Sequence, residues 1–141
     1  MTETPAATLQ DDATATATRL LAHDTFDAKC LLRPVMDQTT SRWATLIISA
    51  LITGPHRFAQ LHTRVGGISQ KMLAQNLKAL VRTGLVHREV APTTPPQVTY
   101  SLTALGTSLA GPLTELIGWY GRHGDELLAA QADYDRGQRG A

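Results

Sequence analysis

Apolar residues in the first half of the chain recur at the three- and four-residue steps that are typical of helices with one buried face. The first such segment follows Ser41, a residue type common at helix N-caps, and ends at Gly54-Pro55. A second predicted helix covers about residues 57–64. The positions predicted to be buried in these two helices are Trp43, Leu46, Ile47, Ala50, Leu51, Phe58, Leu61 and Val65.

Gly66-Gly67 turns the chain, and Ser69 then provides an N-cap for a third helix, which Gly84 closes. Its predicted buried positions are Met72, Leu73, Leu77, Leu80 and Val81. Apolar and polar residues alternate over residues 85–90 and 98–102, which predicts two antiparallel strands. The prolines between them cannot donate ladder hydrogen bonds, so this segment must be the tip of a ribbon.

The apolar pattern continues after Thr103, a predicted N-cap, through Leu105, Leu109, Leu113, Leu116, Ile117 and Tyr120. Gly111-Pro112 is expected to kink or interrupt this last helix. Gly118, Gly121 and Gly124 each cost a helix about 1 kcal/mol relative to alanine, so we expect the helix to break among them. The alternative is that these glycines allow close approach of a partner helix.

The order of these elements is helix, turn, helix and ribbon, which is the order of a winged helix-turn-helix that places one helix in a DNA groove. We therefore predict a mainly α fold with a small β-ribbon (α+β). Residues 1–18 contain few large apolar groups and are predicted to be a disordered tail. Residues 19–132 then form a winged-helix domain for DNA binding and dimerisation, and residues 133–141 form a C-terminal tail.

Composition excludes some classes of protein. Hydrophobic residues make up 43% of the 141 residues, and the longest purely apolar stretch is too short to span a membrane. The N-terminus lacks the basic start and apolar run of a signal peptide, so we expect a cytoplasmic protein with no membrane partner. Cys30 is the only cysteine, which excludes an intrachain disulfide and fits a reducing compartment.

The net charge of +1 is unevenly distributed along the chain. Residues 31–103 carry eight basic and two acidic side chains, a net charge of +6, whereas residues 1–30 and 104–141 carry −3 and −2. The positive charge therefore lies on the predicted DNA-reading segment, where it can serve phosphate binding. A solvated basic face without a partner remains the alternative.

The outward face of the third helix carries hydroxyl, amide and ammonium groups, and no carboxylate occurs from Ser69 to Gly84. Gln and Asn can pair with an adenine edge, Lys can reach guanine or phosphate, and phosphate would repel a carboxylate. Because the N-terminal residues of a recognition helix usually contact bases, the predicted base contacts are Ser69, Gln70, Lys71 and Gln75. Asn76 and Lys78 complete the predicted DNA-binding face. The alternative is a merely solvated polar face.

Other predicted DNA contacts lie on either side of this helix. Arg57 and Arg64 flank the second helix as candidate phosphate clamps, although an ordinary surface charge explains Arg57 equally well. Arg88 and Thr93 lie in the ribbon, whose tip carries no arginine. We therefore expect the ribbon, or wing, to contact phosphates rather than to read the minor groove deeply.

An ordered set of residues gives a more specific indication of the protein family. It comprises Cys30 with Arg33, Trp43, Gly54–Phe58, Leu61, Gly67–Leu73, Leu77, Leu80, Gly84–Val86, Pro95–Val98, Tyr100–Thr103 and Gly106. From about Cys30 to Tyr120 the chain resembles the HxlR-type branch of winged helix-turn-helix regulators, distant relatives of the MarR-like proteins. It departs from the family pattern at Ser41-Arg42, where the family usually has Gly-Lys, so the basic charge is kept and the turn glycine is not.

The resemblance implies a homodimer that is built from terminal helices, binds a palindromic operator in double-stranded DNA and usually represses a nearby gene. The apolar positions after Thr103 independently suit a dimerising helix. Some members use an N-terminal cysteine to sense oxidants or electrophiles, and Cys30 matches that position. Lys29 and Arg33 would favour its thiolate form, whereas a packed free cysteine is the plainer explanation.

Two other modes of action remain open from the sequence. A small-molecule effector could bind between the dimer helices and the domain body, in place of cysteine sensing. Alternatively, the winged helix could be a protein-interaction module that does not bind DNA. Such modules tend to expose apolar groups on the face that is polar here.

The residues do not indicate an enzyme. The five histidines show no short metal-ligand spacing, so neither a metal nor a cofactor is predicted. Carboxylates are nearly absent from the middle of the chain, which argues against paired acid–base catalysis. Gly66-Gly67 is interpreted as a turn and not as a phosphate-binding loop.

Overall fold

The computed structural model describes Thr14 and residues 24–140. The predicted disordered tail, residues 1–18, lies outside the described residues apart from Thr14. The described residues form two compact units, one ending at Ser41 and the other beginning at Arg42. In the first unit a run of turns leads into a short helix, α1 (Arg33–Thr39). The predicted domain boundary at residue 19 stays a prediction.

The second unit is mainly helical and carries one small sheet, as the sequence predicts. Its elements are α2 (Arg42–Leu51), β1 (His56–Arg57), α3 (Phe58–Arg64), α4 (Gln70–Arg82), β2 (Val86–Ala91), β3 (Gln97–Leu102) and α5 (Ala104–Arg139). Helices α3 and α4 with the turn between them form a helix-turn-helix, and the β2–β3 ribbon that follows is its wing. The predicted winged helix-turn-helix fold is therefore confirmed.

The sheet has three antiparallel strands in the order β1-β3-β2. The ribbon runs from the pair Val86 and Leu102 at its base to the pair Ala91 and Gln97 at its tip. Its two strands cover the predicted segments to within one residue, although exposure does not alternate along them.

The third strand, β1, is a correction to the predicted two-stranded sheet. It pairs His56 with Tyr100 and Arg57 with Thr99. A strand of two residues is too short to show alternation, so only its partner across the sheet defines it. For the same reason Arg57, predicted at the start of a helix, belongs to β1, and α3 begins one residue later.

The core of this unit is formed by the inner faces of the helices and the base of the ribbon. Its buried apolar residues are Ala44, Ile47, Ile48, Ala50, Leu51, Leu61, Val65, Ile68, Leu73, Leu77, Leu80, Leu85, Val86, Ala110 and Leu113. The predictions that Leu46 and Met72 belong to the core are wrong, since these residues are 38% and 37% exposed. Helical periodicity gives the direction of the buried face, whereas packing decides the residues at its margins.

Both ends of α4 are fixed by signals that the sequence carries. The Ser69 hydroxyl oxygen accepts the backbone N–H of Met72 at 3.0 Å, so the predicted N-cap is confirmed. Gly84 follows the helix with φ of +80°, a conformation that glycine adopts without strain. Its N–H and that of the next residue donate to the carbonyls of Val81 and Leu80, which closes the helix as a Schellman motif.

The start of α5 is fastened to the base of the wing. The backbone N–H of Thr103 donates to the Leu85 carbonyl at 3.1 Å, and its hydroxyl donates to the Gly84 carbonyl at 2.6 Å. The same hydroxyl oxygen accepts the N–H of Gly106 at 3.0 Å, which confirms the predicted N-cap. A Cβ added to Gly106 would lie only 2.0 Å from the Leu85 carbonyl oxygen, so only glycine allows this approach.

Helix α5 runs without interruption over 36 residues, so the predicted interruption at Gly111-Pro112 and the predicted break among the later glycines are wrong. Pro112 removes one backbone N–H, but buried neighbours hold this part of the helix against the core. The glycines beyond it weaken the helix, yet extending a helix is much easier than nucleating one. Residues 133–139, assigned to a C-terminal tail, belong to the same helix. Neither α5 nor any other described helix has the length and apolar character needed to cross a membrane.

Candidate nucleic-acid interface

Helix α4 and its N-cap present a continuous polar face to solvent. The exposed residues of this face are Ser69, Gln70, Lys71, Ala74, Gln75 and Lys78. The opposite face is anchored by Leu73, Leu77 and Leu80, which are almost completely buried. Because these leucines fix the rotation of the helix about its axis, the residues predicted to contact bases lie together on one surface.

Most side chains on this face are available to a ligand. Among the described residues, Gln70, Lys71, Gln75 and Lys78 make no side-chain hydrogen bond or ion pair. Asn76 differs, because it is half-buried and its Nδ2 donates to the Met72 carbonyl at 2.8 Å. That hydrogen bond leaves Asn76 its amide oxygen and one N–H for an outside partner.

The charge around α4 is positive. Between Ser69 and Arg88 the chain has no acidic residue, and Glu89 on β2 is the first one that follows. Arg64 at the end of α3 and Arg88 on β2 are both exposed. Within the part of the chain that the structure describes, neither arginine forms an ion pair. This surface therefore attracts phosphate and repels positively charged partners.

Arg57 is tied to the wing. Its Nη2 donates to the side-chain oxygen Oε1 of Gln97 at 2.7 Å, across 40 positions of the sequence. Its backbone N–H donates to the side chain of Gln60 at 2.8 Å. Arg57 thus braces the outer end of the wing and also carries a charge there. No short-range pattern in the sequence indicates this pairing.

At the tip of the wing, Thr93 is hydrogen-bonded within its own loop. Its hydroxyl donates to the Pro95 carbonyl and its N–H to the Ala91 carbonyl, each at 2.8 Å. The hydroxyl would have to rotate before it could donate to a phosphate. Arg88, exposed on β2, is the more accessible of the two predicted wing contacts.

A further basic side chain lies near the turn that precedes α4. The Cζ atom of Arg42 lies 4.1 Å from the centroid of the Trp43 ring, over its face. Trp43 packs against the core, and its Cη2 atom would be 3.8 Å from a Cβ added to Gly67 in the turn. Arg42 is not among the residues that the sequence predicts to bind DNA.

Cys30 lies in the first unit, among the turns that lead into α1, and is half-buried. Its N–H donates to the Asp27 carbonyl at 3.0 Å, and its carbonyl accepts the N–H of Arg33 at 3.1 Å. The guanidinium of Arg33 donates to the Phe26 carbonyl at 3.3 Å. Arg33, predicted to favour the thiolate, therefore also helps to hold this run of turns together.

These features define a class of protein. Within the described residues, no group of three or more His, Cys, Asp or Glu side chains could hold a metal ion. A helix-turn-helix that displays a basic helix without carboxylates beside a β-ribbon is the architecture of a winged helix-turn-helix DNA-binding protein.

Comparison with known proteins identifies the family. Residues 39–127 match the HxlR-like helix-turn-helix family, and the chain belongs to it. The chain is 42% identical over 106 residues to YtfH of Escherichia coli K12, an uncharacterized HTH-type transcriptional regulator. The match covers 75% of this chain and 84% of that relative.

Solved structures of related regulators have the same fold. The transcriptional regulator YtfH of Salmonella typhimurium superimposes with a TM-score of 0.72 at 41% identity, covering 76% of this chain and 96% of that one. The redox regulator HypR in its reduced form gives a TM-score of 0.65 at 31% identity, covering 70% and 97%. The chain is therefore a DNA-binding transcriptional regulator, and the prediction that it is not an enzyme is confirmed.

Proposed function

We propose that the chain is a homodimeric repressor that binds a palindromic operator near the gene it controls and releases it when oxidants or electrophiles modify Cys30. The observation that carries the DNA-binding part is the exposed, carboxylate-free face of α4. A regulator of this kind acts on chromosomal DNA in the cytoplasm.

In this proposal the N-terminal end of α4 enters the major groove. Gln70 and Gln75 pair with adenine edges, Lys71 reaches the acceptors of guanine, and the Ser69 hydroxyl donates to a base or phosphate. Ala74 is small enough to let the helix approach the bases closely. Asn76 and Lys78 extend the contact along the helix.

The remaining predicted contacts hold the DNA backbone. Arg64 at the end of α3 and Arg88 on β2 offer exposed guanidinium groups on the elements that precede and follow α4, which suits contacts to phosphates. Arg57 adds its charge at the brace between β1 and the wing. Thr93 contributes at the tip once its hydroxyl leaves the Pro95 carbonyl.

The far part of α5 is the proposed dimer contact. Its large apolar side chains are exposed beyond the core, namely Leu116, Trp119, Tyr120, Leu127, Leu128 and Tyr134. A second copy that covers these side chains would remove apolar surface from water. A two-fold dimer would place its recognition helices about 34 Å apart, one turn of DNA, which requires an operator with matching symmetry.

A salt titration tests the DNA-binding part directly. The wild-type protein is expected to bind the DNA upstream of its own gene with an affinity that falls steeply as salt increases. With about 6–10 phosphate contacts per dimer, the loss is about 10³–10⁵-fold between about 50 and 200 mM salt. The measurement is a gel-shift titration at several salt concentrations. Absent or salt-independent binding would favour a protein-interaction module.

Replacing Cys30 with serine is expected to abolish release by oxidants while leaving DNA binding by the untreated protein unchanged. A serine cannot form an intersubunit disulfide or a thiol adduct. The redox regulator HypR, 31% identical to this chain, supports this reading. The measurement is DNA binding before and after treatment with diamide, followed by dithiothreitol to reverse the reaction. Equal release of wild type and Cys30→Ser would contradict a sensing role for Cys30.

A small-molecule effector is the second candidate trigger, and a cavity favours it. The cavity, of about 360 Å³, lies where the ends of α2 and β3 meet α5. Its walls include the apolar residues Leu51, Ile52, Pro55, Leu102 and Ala110. Release of the Cys30→Ser protein from DNA by a cell extract of small metabolites would support this trigger in place of oxidation.

A further inference from the structure

We infer that Arg42, held over the ring of Trp43, makes an additional contact to the DNA phosphate backbone beside the N-terminal end of α4. The inference rests on the proposed DNA binding and adds a residue that the predicted interface lacks. It follows from where the guanidinium lies, what holds it there and which of its donors remain unused.

The guanidinium of Arg42 is exposed and has donors to spare. Its Cζ lies 4.1 Å from the centroid of the Trp43 ring, so the ring covers one face of the planar group. The N–H donors lie in the plane of the guanidinium and are left free at its edge. In the part of the chain that the structure describes, the only ion pairs are His123 with Glu126 and Arg136 with Asp133, so no carboxylate occupies those donors.

Trp43 places this charge near the reading end of α4. Its ring is half-buried against the core and extends to the turn, where its Cη2 is within contact distance of a Cβ added to Gly67. Gly67 precedes the N-cap Ser69 by two positions. Because α4 enters the groove by this end, the strands that border the groove must pass beside the turn. Arg42, held by Trp43, therefore lies beside the expected path of the DNA phosphates.

The stacked arrangement is specific to arginine. An arginine that is ordered by an aromatic ring loses less side-chain freedom when it binds, and its planar donors match two phosphate oxygens at once. A lysine in its place would keep the charge but would not present the same pair of donors. Arg42→Gln removes both the charge and the planar donors, whereas Arg42→Lys removes only the planar donors. The two substitutions therefore separate the contribution of charge from that of geometry.

The test compares Arg42→Gln, Arg42→Lys and a matched control, Arg139→Gln, which removes an exposed arginine from the last turn of α5. The DNA probes are the upstream fragment and a random-sequence duplex. For Arg42→Gln, the slope of log affinity against log salt is expected to become shallower by about 0.9 per bound protomer. Affinity for both probes is expected to fall about tenfold.

For Arg42→Lys the slope is expected to stay at the wild-type value while affinity falls a few-fold, and Arg139→Gln is expected to change neither. Thermal melting of each variant checks that the fold is intact. An unchanged slope for Arg42→Gln would overturn the inference even if affinity falls, because Arg42 would then only support Trp43. An equal change of slope for Arg139→Gln would also overturn it. If wild type binds neither probe in a salt-dependent way, the proposed function itself fails.

Discussion

Replacing Lys71 with glutamate is expected to lower the affinity for DNA by at least about a hundredfold and to leave the fold intact. Lys71 is exposed, unpaired among the described residues and located in the first turn of α4. The substitution removes a contact worth about 1.5–3 kcal/mol and brings a negative charge towards the phosphates. Each 1.4 kcal/mol is about one factor of ten in affinity.

The position of Lys71 separates this effect from unfolding. An acidic side chain near a helix N-terminus is favourable by about 0.3–1 kcal/mol, so Lys71→Glu is expected to melt at the wild-type temperature or slightly above it. The matched variant Lys71→Gln removes the charge without adding repulsion and is expected to lose only about tenfold in affinity. Gel-shift titrations at one fixed salt concentration measure both. Wild-type affinity for Lys71→Glu would show that this face of α4 does not meet the DNA.

Replacing Gly106 with alanine is expected to destabilise the protein by about 3–5 kcal/mol, a large share of the stability of an ordinary domain. The new methyl carbon would lie 2.0 Å from the Leu85 carbonyl oxygen, a backbone atom that cannot give way easily. Moving α5 away would break the hydrogen bond from the Thr103 N–H to the same carbonyl. The expected fall in melting temperature is on the order of 10 °C.

Gly137→Ala is the matched control for this prediction. Gly137 lies in the same helix, is exposed and has nothing within 4 Å of an added Cβ. Alanine there is expected to leave the stability unchanged or to raise it by up to about 0.5 kcal/mol, because glycine is a poor helix former and the position is close to the helix end. Thermal or urea melts at one protein concentration compare the variants, since the proposed dimer would melt in a concentration-dependent way. Equal stability of Gly106→Ala and wild type would mean that α5 does not lie against Leu85 as closely as described.

The features that could be predicted from the sequence are those with local signals. The N-cap Ser69, the closing Gly84 and the leucines between them fix the limits and the rotation of α4. Each of these signals acts within one or two helical turns, so it can be recognised in a short stretch of sequence. Apart from Met72, the residues predicted on the buried face of α4 lie against the core, so the complementary polar face with Gln70, Lys71 and Gln75 lies at the surface as predicted.

The features that could not be predicted depend on distant parts of the chain. Strand β1 exists only because β3 lies beside it, and the hydrogen bond from Arg57 to Gln97 depends on the same packing. In α5, local propensity favours a break, whereas the core holds the first turns and the rest extends from them. The stacking of Arg42 on Trp43 joins adjacent residues, but its position beside the turn follows from the packing of the tryptophan.

Because α5 is long and unbroken, a small rotation at one of its ends produces a large displacement at the other. At 1.5 Å per residue its 36 residues span about 54 Å, and its buried residues lie within the first three turns. The winged helix therefore sits at one end of an arm, with the exposed apolar residues along the rest. A rotation of about 10° at the far end of such an arm would displace the winged helix by about 9 Å, well beyond the 3.4 Å step between base pairs. In the proposed dimer, a small adjustment where the two α5 helices meet would thus be magnified into a change of register on the DNA.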